Sequence, residues 1–215
     1  MASVLTIAIV TPWTDHLELA DDYFEAVLPE MEPGDENIVV DNGSEPPLRF
    51  ACSPSPGANL GFCGGSNYGL RLATADAVLF LNNDIVVEAP GWLSNVREAL
   101  EPGVLVGPLR DGLHAHVDGQ SIPYIDGWCL AGMREDLLAL GGFNETLTEP
   151  AYYSDNLLCL EAKAAGMELR NLNVGLRHLQ NRTAGTQWEP SVQAASSDNR
   201  ARYQARARDV LAAAV

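Results

Sequence analysis

Apolar residues run in short blocks along the first half of the chain, and each block stops at polar turn formers. Val4-Leu5-Thr6-Ile7-Ala8-Ile9-Val10 predicts a strand over residues 4–10, closed by Thr11-Pro12-Trp13. Helical spacing of Leu17, Leu19, Ala20, Phe24, Val27 and Leu28 predicts a helix over 16–28. Asn37-Ile38-Val39-Val40-Asp41 reads as a second strand ended by Asn42-Gly43-Ser44, and residues 48–52 as a short third. A glycine-rich stretch follows, then a helix near 65–74. The block Val78-Leu79-Phe80-Leu81 belongs to a strand over 77–81 buried on both faces, and it ends abruptly in Asn82-Asn83-Asp84. Pro90-Gly91-Trp92-Leu93 opens another helix with Pro in its first turn, and 103–107 reads as a further strand. Strands alternating with helices predict an α/β fold whose mostly parallel sheet is flanked by helices.

The second half is less regular. Residues 108–126 carry Gly, Pro, His and Asp without periodicity and read as loops or a short hairpin. Residues 127–133 fit a strand, and Arg134 to Leu140 a short helix stopped by Gly141-Gly142. Tyr152 to Ala165 fits a helix with Gly166 at its C-terminal cap. The Ala/Arg-rich segment from Ser191 to Val215 fits a helix too. The expected organisation is one catalytic-type domain over 1–190 and a helical tail over 191–215.

Bulk properties narrow the function classes. The chain has 215 residues, enough for one core without disulfides. Against 29 acidic residues stand 13 Lys and Arg, a net charge of -16. That balance disfavours nucleic acid or an anionic membrane as the main partner, since both need a basic surface. Cys52, Cys63, Cys129 and Cys159 form no CxxC pair, so a zinc site is not expected, and reduced thiols point to the cytoplasm. No apolar run approaches the roughly 20 residues of a membrane span. The start reads as a strand rather than a signal peptide.

Candidate chemistry gathers at predicted strand ends, where open α/β sheets bind ligands. A carboxylate flanked by amides at 82–84 suits a hard divalent cation that also holds substrate phosphates; turn formers capping a strand would look the same. Thr11-Pro12-Trp13 and Asp41-Asn42-Gly43-Ser44 end the first two strands. In Asn59-Leu60-Gly61-Phe62-Cys63-Gly64-Gly65-Ser66-Asn67-Tyr68-Gly69, glycines would let backbone N–H groups approach an anion at a helix start, or would simply form a loop. It lacks the Gly-Lys-Ser/Thr ending of a Walker loop and does not directly follow the first strand, as a dinucleotide fingerprint would.

The order of these segments resembles the family 2 glycosyltransferases, inverting enzymes of the GT-A fold that use nucleotide-sugar donors. The likeness runs from about residue 5 to residue 185. It is carried by Ile38-Val39-Val40-Asp41-Asn42-Gly43-Ser44, by Asn59-Leu60-Gly61-Phe62 with Gly65, Asn67 and Gly69, and by Leu81-Asn82-Asn83-Asp84 with Pro90-Gly91-Trp92-Leu93. The resemblance implies a GT-A (Rossmann-like) domain, with Thr11, Pro12 and Asp41 binding the base and Asp41 accepting from a uracil N3–H. It implies Asn59, Gly65 and Asn67 at ribose and diphosphate, and Asn83 at sugar or ribose. Asp84, in the place of the family's Asp-x-Asp motif with Asn82 replacing its first Asp, would hold Mn²⁺ or Mg²⁺. His178 would complete that site, and Arg182 would contact the diphosphate, with Thr183 and Gly185 following as in the family. Asp155 would be the catalytic base, although Ser154 and Leu157 replace acidic residues of the family pattern around it. Gly141-Gly142-Phe143-Asn144-Glu145 would lie near the acceptor.

The implied cofactors are a divalent metal and a UDP-sugar, with dTDP and GDP donors also known in the family. The implied partner is an acceptor glycan, protein or other hydroxyl-bearing molecule. A non-catalytic nucleotide-sugar binder and a transferase acting on modified DNA or protein remain alternatives. A nucleotidyltransferase would show a glycine-rich basic loop after the first strand, where Thr11-Pro12-Trp13-Thr14 offers none. Among the tryptophans, Trp92 reads as core, Trp128 as an acceptor-side residue and Trp188 as part of a loop over the donor. His114 and His116 are read as solvent-facing or acceptor-loop residues.

Overall fold

The computed structural model describes residues 4–51, 59–110, 116–147, 152–179 and 190–213. In chain order the elements begin with β1 (Ile7–Trp13), α1 (Ala20–Val27, between single 3₁₀ turns), β2 (Glu36–Asp41), α2 (Gly61–Leu72) and β3 (Ala77–Leu81). They continue with β4 (Ile85–Val87), α3 (Trp92–Ala99), β5 (Val104–Gly107), β6 (Leu109–Arg110), β7 (His116–Val117), β8 (Gln120–Ser121), β9 (Tyr124–Ile125) and β10 (Cys129–Met133). The last are α4 (Arg134–Ala139), α5 (Ser154–Ala164), β11 (Glu168–Asn171), β12 (Leu176–His178) and α6 (Pro190–Ala213).

The main sheet has six strands in the order β11-β5-β10-β3-β1-β2. β1 runs parallel to β2 and β3, and β5 parallel to β11; β10 alone is antiparallel, wedged between β3 and β5. Alternate side chains enter two cores, because the pleat sends successive residues to opposite faces. Ile7, Ile9 and Trp13 pack with Tyr23 and Val27 of α1 and Trp92, Leu93 and Val96 of α3. Ala8 and Val10 pack on the other face with Cys63 and Leu70 of α2 and Leu158, Cys159 and Ala162 of α5. This double burial is why β1 and β3 read as unbroken apolar blocks rather than alternating ones.

Three segments differ from the sequence expectation, each for a local reason. β1 does not stop at Thr11 but continues to Trp13, pairing Pro12 with Val40 and Trp13 with Asp41. Its pairing with β3 ends at Val10, so Pro12 falls where one neighbour is already gone, a position that tolerates a residue without an N–H. No strand forms over 48–51. Leu48 and Phe50 instead cover the core from a turn, with Phe50 edge-on to Trp13 and Phe24. α2 starts at Gly61, not near 65, because its glycines are spacers for packing. A methyl on Gly69 would lie 2.3 Å from Val10 Cγ1 and 3.2 Å from Val40 Cγ2.

Gly69→Ala should therefore push α2 off the sheet and cost about 1–3 kcal/mol in urea denaturation, although Ala is the better helix former by about 1 kcal/mol. A variant as stable as the parent would contradict this close approach.

Candidate functional site

The antiparallel wedge of β10 builds the site. Because β10 runs against β3, its start lies beside the end of β3, with Cys129 paired to Leu81. The Asp126-Gly127-Trp128 turn is thereby brought to Asn82-Asn83-Asp84, and Asn82 N–H donates to the Trp128 carbonyl at 2.9 Å. A two-stranded ribbon then delivers His178. β12 pairs antiparallel with β4, placing His178 opposite Ile85, and Leu179 N–H donates to the Asp84 carbonyl at 2.9 Å.

His178 Nε2 lies 2.9 Å from Asp84 Oδ1 and 3.0 Å from Asn82 Nδ2. As oriented, the Asn82 amide donates to Nε2 and takes up its one lone pair, which is released for a cation when that amide turns. The Asp84 carboxylate is 1% exposed, and its Oδ1 has no hydrogen-bond partner among the described residues. A buried carboxylate oxygen this close to an imidazole nitrogen calls for a positive centre, supplied by a proton on Nε2 or by a cation held by the two side chains. The Trp128 ring is stacked on the imidazole, centroids 5.3 Å apart and planes 7° apart, which fixes the ring plane. An imidazole nitrogen and a carboxylate oxygen together suit a first-row divalent ion better than Ca²⁺, which prefers oxygen alone. Among the described residues no three His, Cys, Asp or Glu side chains converge on one point.

Asp155 stands on the other side of the same turn. Its Oδ2 accepts from Gly127 N–H at 3.0 Å and its Oδ1 from Asn156 N–H at 2.9 Å. Thus Gly127 touches Asp155 while Trp128, the next residue, stacks on His178. Burial, together with the charge of Asp126, pushes the Asp155 carboxyl up to about 6. The two carboxylates of this mouth are treated differently. Asp126 is tied to the Arg110 guanidinium at 2.8 Å, whereas Asp155 is held through backbone N–H groups. Burial and the charges of Asp155 and Asp126 also push the Tyr124 hydroxyl up to about 12, keeping it a neutral donor beside the carboxylates.

Buried polar side-chain atoms without partners cluster here. Asn83 Nδ2, Asp84 Oδ1 and Trp128 Nε1 are three such atoms found among the described residues. Each unpaired buried polar atom costs about 1–3 kcal/mol, so their grouping around the end of β3 and the Gly127-Trp128 turn marks a place where a polar ligand would supply the partners.

The other residues singled out from the sequence lie at the ends of β1 and β2 or on α2, and most of their side chains are occupied. Thr11 is fully buried with its hydroxyl 2.7 Å from that of Tyr23, on the α1 face of the sheet. Pro12 lies on the opposite face, against which a methyl on Gly65 would come to 3.0 Å. Asp41 is 2% exposed; its Oδ1 accepts from Ser44 N–H and its Oδ2 from Leu48 N–H, both at 2.9 Å. Asn42, which the sequence reading passed over, clamps the start of α2 through Leu60 N–H, the Gly61 carbonyl and the Asn59 side chain. Asn67 is buried and bonds Phe143 through both its oxygen and its amide, and the amide also reaches Glu145. It anchors the Gly141–Glu145 segment, and Gly142 is needed there because a methyl would sit 2.2 Å from Asn67 Oδ1. A cavity of about 700 Å³ opens among Asn67, Phe143, Glu145, Leu157 and Glu161, and holds none of Asp84, Asp155 or His178. Trp92 is core, donating to the Ala26 carbonyl at 3.0 Å. His114, Arg182, Thr183, Gly185 and Trp188 lie outside the described residues, as does Cys52; Cys63, Cys129 and Cys159 are buried and form no disulfide with one another. No helix among the described residues is long and apolar enough to cross a membrane.

No known family profile matches the chain. It is 29% identical over 189 residues to an uncharacterized protein of Mycobacterium tuberculosis, spanning 77% of this chain and 72% of that protein. An uncharacterized protein of Sinorhizobium fredii is 27% identical over 210 residues, which cover 74% of this chain and 23% of that protein. Among solved structures, a mannosyltransferase from Pyrobaculum calidifontis in complex with GDP-Man and Mn²⁺ superposes with a TM-score of 0.63 at 18% identity, covering 97% of this chain and 74% of that one. GalNAc-T7 with UDP, GalNAc and Mn²⁺ superposes with a TM-score of 0.66 at 11% identity, over 89% of this chain and 47% of the other. A Drosophila galactosyltransferase 7 complex with manganese, UDP-Gal and xylobiose gives 0.59 at 14% identity, over 90% and 79%. The fold is the GT-A fold: a largely parallel central sheet between helices.

Proposed function

We propose that the protein is an inverting glycosyltransferase of the family 2 type, which moves a sugar from a nucleoside-diphosphate donor to an acceptor hydroxyl. The observation that carries this reading is the Gly127-Trp128 dipeptide, with Asp155 bonded to one residue and His178, beside Asp84, stacked on the other. A base and a cation-type donor pair brought to one dipeptide suit a single displacement at an anomeric carbon. Asp84 and His178 are the residues to hold a divalent ion, Mn²⁺ or Mg²⁺, and its chemistry is to neutralise the departing diphosphate. With only two such protein donors, a bound ion would leave room for phosphate oxygens and water.

The residues' own part in transfer follows from where they sit. Asp155, ionised at neutral pH, accepts the acceptor's hydroxyl proton as the oxygen attacks the anomeric carbon and the glycosyl–phosphate bond breaks. Gly127 N–H and Asn156 N–H hold the carboxylate in place for that transfer. The unpaired Asn83 amide and Trp128 indole N–H are donors available to sugar or phosphate oxygens. One displacement with one base inverts the anomeric centre.

The donor we propose is a UDP-sugar, on Asp41 at the end of β2. Each carboxylate oxygen keeps a second lone pair beyond its bond to Ser44 or Leu48, and a uracil N3–H needs one. Thymine presents the same N3–H, so UDP and dTDP should both bind. Calorimetric titration of UDP, dTDP and GDP, each with Mn²⁺ and with EDTA, decides this. Metal-dependent binding of GDP alone would overturn the UDP assignment, and no binding of any nucleotide would remove the donor site.

A further inference from the structure

We propose that α6 is the positioning element for Asp155, with Asn199 and Tyr203 as positioning residues, an inference that rests on the reading of Asp155 as the base. α5 is entered through two consecutive non-glycine residues in the left-handed region, Tyr152 at φ 56° and Tyr153 at φ 75°. Such backbone persists only where the surroundings over-determine it. Here the surroundings are α6. Asn199, 1% exposed, donates from Nδ2 to the Tyr152 carbonyl at 3.1 Å. Tyr203, also 1% exposed, stacks on Tyr153 with ring centroids 5.6 Å apart and planes at 30°. Asp155 is the second residue of α5, so any rotation at 152–153 swings its carboxylate away from Gly127.

The grip continues along the helix. Arg206 pairs with Glu161 of α5 at 2.7 Å, Arg208 with Asp118 of the β7–β8 hairpin at 3.0 Å, and Arg202 donates to the Thr146 carbonyl at 3.0 Å. Tyr203 and Ala207 share a small core with Val117, Ile122, Leu147, Tyr153, Leu157 and Leu160. Arg202, Arg206 and Arg208 of the Arg-rich segment are thus bound to the rest of the fold. Among the described residues, the titratable groups facing Asp155 are Asp126 and Tyr124 from the β9–β10 side and Cys159 from its own helix, and none belongs to α6. The helix acts on the position of the carboxylate, not on its charge environment.

The test uses the full chain and the nucleotide released from whichever of UDP-galactose, UDP-N-acetylgalactosamine or GDP-mannose is hydrolysed in Mn²⁺. Asn199→Ala and Tyr203→Leu should lower kcat about tenfold to a hundredfold, with the donor KM unchanged within about twofold. Tyr203→Phe keeps the ring and should keep the rate. Hydrogen exchange should quicken in residues 152–157 but not in β1–β3, a pattern that general destabilisation does not give. If Asn199→Ala does not fold, the Tyr203→Leu and Tyr203→Phe pair carries the same comparison. Folded variants with parental kcat and parental exchange at 152–157 would overturn the proposal while leaving Asp155 as base. If Asp155→Asn hydrolyses donor like the parent, the base reading falls instead, and the exchange data still report whether α6 holds the turn.

Discussion

Asp155→Asn should abolish sugar transfer, with turnover falling by about 10²–10⁴, the usual worth of a positioned general base, while the donor still binds. The variant is close to isosteric, and nothing on the Asp84–His178 side contacts it. Calorimetry with nucleotide and Mn²⁺ should therefore give the parental affinity. The parent's rate should rise with pH through about 6, since burial and the Asp126 charge hold the carboxyl there and only the ionised form accepts a proton. The same shift makes a claim on stability. The folded value lies above the unfolded one of 3.8, so the folded state favours the protonated acid. That contribution is complete below pH 3.8 and is lost as pH rises through about 6. At pH 8 the ionised group therefore burdens the fold by about 3 kcal/mol, at about 1.4 kcal/mol per unit. Asn can keep the bond from Gly127 but loses the one from Asn156, worth about 1 kcal/mol. Asp155→Asn should thus be more stable than the parent by about 2 kcal/mol at pH 8, with the gain fading by pH 4. An inactive variant that is more stable only at high pH would mark a residue kept for chemistry at the expense of the fold. Parental turnover would end the assignment of the base.

Much of this arrangement is written locally, and the remainder depends on partners far along the chain. The blocks that became β1, β2, β3 and β5 were legible because residues buried on both faces must all be apolar, and Asn82-Asn83-Asp84 because polarity changes abruptly where β3 leaves the core. The β4–β12 ribbon was not, since neither three-residue strand has a pattern of its own and each exists only by pairing with the other. The occupation of Asn67 was equally hidden. The residue sits among glycines that look like an anion cradle, but its amide is used by Phe143, 76 positions away. Gly65 and Gly69 mislead in the same way, because a small residue needed for close helix–sheet approach looks identical to one needed for a phosphate. Asn199 carries no local signal at all, and its meaning comes from the carbonyl of Tyr152.

Removal of the metal-type donors should separate cleanly from removal of the base. In the protein without cation, Asp84→Asn should leave stability unchanged or raise it slightly. The carboxylate is buried 2.9 Å from His178 Nε2, and an amide in its place removes a buried charge while Asn82 keeps its own bond to Nε2. With Mn²⁺ the order should reverse. At a hundred times its dissociation constant a ligand specific for the folded state adds about 2.7 kcal/mol, and this increment should appear in the parent and vanish in Asp84→Asn. His178→Ala should lose most of it as well, because the imidazole supplies the other donor. Trp128→Phe should keep more of it, since a phenyl ring still stacks on His178 and only the indole N–H is lost. Nucleotide affinity in Mn²⁺ should follow the same ranking, Asp84→Asn weakest, with a loss of about a hundredfold, while affinity in EDTA stays alike across the series. Thermal melts and nucleotide titrations with Mn²⁺ and with EDTA test both halves. An Mn²⁺-induced rise in melting temperature that survives Asp84→Asn would place the cation elsewhere and leave the close approach of His178 and Asp84 as an ordinary buried ion pair. Its loss together with metal-dependent nucleotide binding would tie the two lone pairs at the end of β3 to the diphosphate they are proposed to serve.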